Sequence, residues 1–333
     1  MEEVQEEVKK VKEFRLLDLP FVIFRKVLHE FEFFTVLNLT YVSKKTKQQV
    51  RLCALNAKDV ELYLTKDYER VFNVVYKGIK CSWGNIETKN AEAEGAVTRP
   101  LDDKIFKPVC SQILFILHKK SVDTFRFDRS ITEDDVTEYW GMVEDVKDIY
   151  IGSELVTTDE LTLIFKKFQK LENFYVEPEV PRDFKGLEHR KLEVLYLEST
   201  RSMMLPSLGK FESNILLMEN SRMELWELNV FIKNWIKSAP RINEPSVIRI
   251  FGMQIDASIL REIQIYPWNP KHRSSSYVVW LNNGIMSIDC SEGHDIYRKS
   301  DGMMATVLLI NNTFNFFIWT QRFHKIPHGS IMC

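Results

Sequence analysis

From residue 16 to residue 50 the chain reads LLDLPFVIFRKVLHEFEFFTVLNLTYVSKKTKQQV, apolar over most of its length but cut by Arg25, Lys26, His29, Glu30 and Glu32. No unbroken run reaches the ~18 apolar residues that a transmembrane helix needs, so this surface has to meet protein. The spacing predicts short helices. Asp18 is placed to cap the first, with Pro20 in its opening turn where a missing N–H costs little, and Ile23, Val27, Leu28 and Phe31 follow helical periodicity. Val36, Leu37, Leu39 and Val42 predict a second helix, and the polar run 44–49 starts a third. Three helices this short cannot bury everything they carry, which implies a partner. Ahead of them, MEEVQEEVKKVKEF reads as a frayed, charged helix, unlike the basic and then apolar start of a secretory signal.

Residues 58–84 alternate and are rich in Val and aromatics, predicting two or three strands. Residues 85–104 turn polar and predict a loop, and 105–119 a short amphipathic helix after Pro108. Beyond them a pattern with apolar residues at positions one, four and six repeats. It appears as Val122-Phe125-Phe127, Val146-Ile149-Ile151, Leu171-Phe174-Val176 and Leu192-Leu195-Leu197, then more weakly as Ser213-Leu216-Met218 and Pro245-Ile248-Ile250. The copies start 24, 25, 21, 21 and 32 residues apart, the period of leucine-rich-repeat-like solenoids. Between them, TTDELTLIFKKFQ and ELWELNVFIKNWIKSAP predict helices, the first capped at Thr157 or Thr158 with Leu161, Ile164, Phe165 and Phe168 on one face. The second places Leu225, Leu228, Ile232 and Trp235 on one stripe. The stretch 293–319 predicts three strands, with turns at Ser300-Asp301-Gly302 and Asn311-Asn312, a meander suited to closing the end of a solenoid.

Composition narrows the function classes. With 45% hydrophobic and 28% charged residues the chain is globular, and 45 Lys and Arg against 47 Asp and Glu give no field to draw it to nucleic acid or an anionic membrane. Five scattered cysteines without a CxxC pair argue against a zinc site and favour a reducing cytoplasmic or nuclear setting. No phosphate-cradling glycine loop, dinucleotide fingerprint, HExxH or nucleophile elbow is present, so no catalytic residue, metal or cofactor is expected. His294-Asp295 reads as a turn or surface pair and Lys271-His272-Arg273 as a solvated loop. Core packing accounts for at least one of Trp226 and Trp235.

Two stretches resemble known families. In the first, Leu19-Pro20, Val27-Leu28, Leu37, Leu39 and Val42-Ser43-Lys44 match the Leu-Pro start, the Ile-Leu pair and the Leu, Leu and Val-Ser-Lys/Arg ending of the F-box, with Phe33 where that family carries Pro and Thr46 where it often carries Trp. In the second, residues 217–237, 293–307 and the later FNFFIW are similar to the F-box-associated type 2 domain of nematode F-box proteins. That likeness includes its Asp-Ile-x-Arg, Asp-Gly and Ala-Thr elements, with His294 in place of a Gly and Ser300 inserted.

The resemblance implies an α+β protein with an F-box over 14–52, a connecting β, loop and helix region over 53–119, and an F-box-associated, leucine-rich-repeat-like domain over 120–333. It implies a substrate-recruiting subunit of a cullin–RING ubiquitin ligase, not an enzyme itself, which binds a Skp-type adaptor, through it a cullin, and an unidentified protein target. By position, Leu19, Pro20, Ile23, Val27, Leu28, Leu37 and Val42 are the expected adaptor-binding residues, some of them serving only to hold the helices together. The tips at 198–200 and 219–222 are expected places for the target. The alternatives are a scaffold with a degenerate F-box, and an unrecognised hydrolase.

Overall fold

The computed structural model describes residues 15–66, 70–84, 97–101, 103–132, 135, 141–182, 184–200, 205–281 and 284–320, so the predicted helix before residue 15 lies outside it. The described residues are mixed α+β, with six helices and a large, mostly parallel sheet. The chain divides into two units, Met1–Val60 with Phe72–Lys120, and Glu61–Val71 with Ser121–Cys333.

The first unit opens with α1 (Phe21–Glu30), α2 (Phe33–Thr40) and α3 (Lys44–Leu52). Asp18 does not cap α1. It closes a 3-10 turn, Leu16–Asp18, after which Leu19 and Pro20 are extended and Pro20 takes the capping position. The Pro20 carbonyl accepts the N–H groups of Ile23 and Phe24 at 2.8 and 2.9 Å, and its ring fixes the entry angle without sacrificing a hydrogen bond. Nor does Val42 extend α2. Ser43 takes an extended conformation, accepts the Thr46 N–H at 3.0 Å and begins α3, leaving Val42 in the turn.

The chain continues through β1 (Ala57–Leu64), β2 (Arg70–Tyr76), β3 (Ile79–Gly84), β4 (Val97–Pro100) and α4 (Asp103–Ile116). Two expectations need correction here. Residues 97–100, expected in a loop, pair in parallel with β3, and α4 begins ahead of Pro108, which sits inside it. Much of the apolar run is covered by this chain itself. The Phe33 ring lies 5.3 Å from that of Tyr76 and 5.6 Å from that of Trp83, while Phe34 lies 4.8 Å from Trp83. The Arg99 guanidinium rests 4.5 Å over Phe34, so α2 packs on aromatics supplied by β2 and β3.

In the second unit the strands follow the repeat. They are β5 (Ser121–Phe127), β6 (Asp145–Ile151), β7 (Asn173–Val176), β8 (Leu192–Leu197), β9 (Ser213–Met218) and β10 (Val247–Ile250), each parallel to the next. Their register superposes the triplets: Phe125 faces Ile149, Ile149 faces Phe174, Phe174 faces Leu195, Leu195 faces Leu216 and Leu216 faces Ile248. The C-terminal half of β1 joins the same row, with Leu62 opposite Phe125 and Leu64 opposite Phe127. All these side chains are buried; each is worth ~1.5–3 kcal/mol when removed from water.

Helices α5 (Thr158–Lys167) and α6 (Leu225–Lys237) lie between strands. Thr157 caps α5 in a reciprocal box: the Glu160 N–H donates to Thr157 Oγ1 at 3.2 Å and the Thr157 N–H to the Glu160 carboxylate at 2.7 Å. Of the α6 stripe, Leu228, Ile232 and Trp235 are buried, while Trp226 is 65% exposed.

The remaining strands are β11 (Tyr266–Pro267), the ribbon β12 (Ser276–Leu281) with β13 (Gly284–Asp289), and β14 (His294–Tyr297), β15 (Met304–Ile310) and β16 (Thr313–Ile318). The order β11-β14-β15-β16 continues from β10 with antiparallel pairing. Asn311 and Asn312 both have positive φ, 51° and 56°, the geometry of a tight hairpin turn whose twist matches its strands.

The Asp-Ile-x-Arg, Asp-Gly and Ala-Thr elements turn out to be structural. Asp295 is 2% exposed, so the surface pair at 294–295 does not hold, and in the loop 271–273 Lys271 and His272 are exposed but Arg273 is fully buried. Arg273 Nε donates to both Asp295 oxygens at 2.8 and 3.1 Å, and its terminal nitrogens donate to the carbonyls of Ser274 and Cys290, each at 2.9 Å. Its guanidinium stacks 4.9 Å over Trp319, whose N–H donates to Thr306 Oγ1, which in turn donates to Asp295 at 2.6 Å. A Cβ on Gly293 would collide with the Thr306 methyl group, which accounts for the glycine. Arg298 is likewise enclosed, donating to Glu244 at 2.7 Å and to Asp301 at 2.8 and 2.9 Å. These hydrogen bonds hold the Asp301 carboxyl below the usual carboxylate range.

Two outcomes follow from this cluster. Asp295→Ala leaves a buried guanidinium without its counter-charge and should lower unfolding stability by about 3–5 kcal/mol, read as a shifted urea midpoint. Because the pKa of Asp301 is depressed on folding, its stabilisation is complete above the unfolded carboxylate pKa of ~3.9 and disappears as pH falls through the lower folded value. Asp301→Asn should therefore flatten the acid end of the stability–pH curve, and an unaltered acid limb would contradict that role.

Candidate partner-binding surface on the N-terminal helices

The seven residues singled out in the sequence fall into three groups. Leu28 and Leu37 are buried at 0% and 4% exposure and support the helices from within. Leu19 and Val27 are half-buried. Pro20, Ile23 and Val42 are exposed, Ile23 by 44% and Val42 by 67%. The split follows from helical phase: the inward stripe of α1 is Phe24 and Leu28, four residues apart, so Ile23 and Val27 turn toward its edge.

The structure adds exposed apolar residues that the periodicity did not select. Phe21 and Val22 begin α1, Tyr41 precedes Val42, and Leu52 ends α3, exposed by 44%, 64%, 57% and 64%. Apolar side chains thus remain in water at the start of α1, after α2 and at the end of α3. A readable signal existed for Phe21 and Val22: four consecutive apolar residues at 21–24 cannot all face one side of a helix.

Both departures from the F-box pattern are inside. Phe33 is 1% exposed against Tyr76 and Trp83, and Thr46 is fully buried, its hydroxyl 2.8 Å from Ser43 Oγ. On the neighbouring α3, the Lys47 ammonium and Arg51 guanidinium cover the Phe115 ring at 4.5 and 4.2 Å. The Arg51 carbonyl lies 2.7 Å from the imidazole of His118.

The described cysteines of this unit are buried. Burial pushes the thiols of Cys53 and Cys110 up, Arg25 opposing it weakly at Cys53, and burial raises Cys81 to about 11. Thiols held in that state stay protonated near neutrality. Among the described residues no group of three His, Cys, Asp or Glu could hold a metal ion, and no helix is long and apolar enough to cross a membrane.

In the second unit, the tips at 198–200 and 219–222 are tied to each other. Thr200 Oγ1 donates to the Glu219 carbonyl and Asn220 Nδ2 to the Glu198 carbonyl, both at 3.1 Å. A cavity of about 410 Å³ lies beside α6, walled by Trp226, Phe231, Trp235, Ile248 and Phe316.

No family model matches the chain, and no solved structure matches it. Among curated proteins it is similar to uncharacterized Caenorhabditis elegans proteins, F59B2.8 and F54H12.5 among them. F59B2.8 is 21% identical, with 93% of this chain and 78% of that protein covered. F54H12.5 is 22% identical, with 93% of this chain and 95% of that protein covered. The similarity therefore runs through nearly the whole chain, helices and sheet together.

Proposed function

We propose that the chain is a substrate-recruiting subunit of a cullin–RING ubiquitin ligase. Its N-terminal helices are an F-box that docks on a Skp-type adaptor, and its second unit is an irregular leucine-rich-repeat-like solenoid, closed by a β-meander, that holds the protein target. It performs no chemistry; it raises the effective concentration of the target beside the ubiquitin-loaded enzyme.

The observation that carries this reading is the distribution of apolar side chains on α1–α3. Phe24, Leu28, Phe33, Phe34, Val36 and Leu37 are packed inside, yet Phe21, Val22, Ile23, Tyr41, Val42 and Leu52 are left in water. A module that small keeps that much exposed apolar surface when another polypeptide covers it. The two departures from the F-box pattern are buried and supported by this chain's own side chains, so they leave the outward positions intact. The superposed triplets of β5–β10 support the repeat assignment in the second unit.

Ile23→Glu and Val42→Glu, made together in the tagged full chain, should reduce capture of the Skp-type adaptor and cullin about tenfold or more. Both side chains are exposed, so melting should stay within about 0.5 kcal/mol of the parent. Leu28→Ala should instead cost about 2–5 kcal/mol of stability, separating support from contact. Undiminished capture by the double variant removes the proposal, and adaptor capture without a cullin turns it toward a non-ligase scaffold.

A further inference from the structure

The register that stacks the buried triplets also aligns what lies on the opposite face of the sheet. One row runs Tyr63, Arg126, Tyr150, Tyr175, Tyr196, Leu217 and Arg249, each facing the next across neighbouring strands. The β12–β13 ribbon packs on this face from β8 onward, through Tyr277 and Val279 against Val194, Ile215 and Val247. Arg126, Tyr150, Tyr175 and Tyr196 are only half-buried. The Tyr150 and Tyr175 rings stack in parallel, 4.1 Å between centroids and 2° between planes, and Tyr196 follows at 6.2 Å.

Just beyond the strand ends comes a row of carboxylates. The ladder continues one residue further, with the N–H groups of Asp128, Gly152, Glu177, Glu198 and Glu219 each bonded to the preceding strand at 2.7–2.9 Å. Adjacent members are thereby set about one strand spacing apart, ~4.8 Å. Gly152 leaves a notch in which Asp128 and Glu177 converge: a Cβ there would lie 2.7 Å from an Asp128 oxygen and 3.1 Å from a Glu177 oxygen. Arg126 bridges these two at 2.7 and 3.7 Å, and leaves Glu198 and Glu219 without that neutralisation. Burial, then the carboxylates of Glu177 and Glu219, push Glu198 above its ordinary range, so the row is electrostatically crowded. In the row below, Asn173 is 1% exposed and lies on the same face as Tyr175. It donates to Asp148 at 2.5 Å while its own side-chain oxygen has no donor.

The geometry points to this face as a docking surface for an extended, Arg- or Lys-bearing segment of a partner protein. Its cationic side chains would lay their stems along the outward edges of the tyrosine row and end on the carboxylates of Glu177, Glu198 and Glu219. Long cationic side chains pack their apolar stems on aromatic surface, crowded carboxylates gain from a counter-charge, and the buried Asn173 oxygen at the foot of the row receives no donor from this chain. The same negative row opposes nucleic acid and anionic lipid. Nothing in this depends on what the N-terminal helices bind.

The test is fluorescence anisotropy on the full chain, using a fluorescein-labelled, unstructured peptide of alternating arginine and serine, with a poly-glutamate peptide and a single-stranded oligonucleotide as comparisons. The arginine peptide alone should bind, more weakly as salt rises. Glu177→Gln with Glu198→Gln and Glu219→Gln should weaken it roughly tenfold or more, and Tyr175→Ala should do so with less change in salt dependence. A matched removal of charge elsewhere, Glu172→Gln with Glu262→Gln and Glu292→Gln, should leave binding within about twofold. Each variant is paired with a thermal melt, and the Glu177, Glu198 and Glu219 variant should remain folded at the temperature of the binding assay. Absence of binding by the parent chain overturns the inference. So does equal loss in both triple variants, or preference for the oligonucleotide. Adaptor capture by the Tyr175→Ala chain should be normal, which keeps this result separate from the fate of the ligase proposal.

Discussion

The phase of the parallel ladder is the constraint on which the rest of this protein depends. Side chains alternate faces along a strand, so slipping one strand by a single residue would carry Leu195 and Leu197 out of the core and bring Tyr196 into it. Because Phe125, Ile149, Phe174, Leu195, Leu216 and Ile248 meet in one row, every strand from β5 to β10 must keep the same phase. The tyrosine row and the carboxylate row are consequences of that requirement. Their alignment depends on the packing of residues they do not touch.

A second constraint acts in the antiparallel part of the sheet. There β14, β15 and β16 have to meet without leaving polar groups unsatisfied, and the buried Arg273, from the segment between β11 and β12, answers several demands together. It neutralises Asp295, accepts the face of Trp319 and donates to two carbonyls. A buried ion pair of this kind is weak evidence for net stability, since well-packed apolar side chains could fill the same volume. Its effect is on uniqueness, because only one arrangement of β14, β15 and β16 brings Asp295, Thr306 and Trp319 to the guanidinium. It follows that the most motif-like stretch of the C-terminal half is committed to architecture, and recognition has to be sought on residues that vary without disturbing it.

How much of this was legible depended on whether the signal was local. The triplets were legible because Leu192, Leu195 and Leu197 carry their spacing within six residues. The Asn311-Asn312 turn was legible because its backbone demands residues that tolerate positive φ. The pairing of β1 with β5 was not, since Leu62 and Leu64 stand some sixty residues before their partners, with β2 to α4 between them. Arg273 was misread for the same reason: its neighbours Lys271 and His272 are exposed, and the residues that bury it lie about 17 to 46 positions further on. On α1, periodicity selected the right helix but the wrong edge, because 21–24 are all apolar and only the tertiary partner decides which of them turns inward. Phe24 is 2% exposed and Ile23 is 44%.

The two candidate surfaces differ in chemistry, and the difference bears on how each would work. The N-terminal helices expose Val22, Ile23 and Val42, aliphatic side chains whose burial is favourable but non-directional and largely indifferent to salt. The open sheet face offers tyrosine edges and carboxylates, and the carboxylates steer an oppositely charged segment and select among sequences, an effect that weakens with ionic strength. A fixed adaptor is well served by the first kind of contact, since constancy matters more than discrimination. A target that must be captured and released is better served by the second, whose residues sit on rigid strands and can be exchanged one at a time without touching the triplets beneath. The opposite faces of one strand, Leu195 and Leu197 inward and Tyr196 outward, thus let the fold stay constant while the side chains available for recognition change.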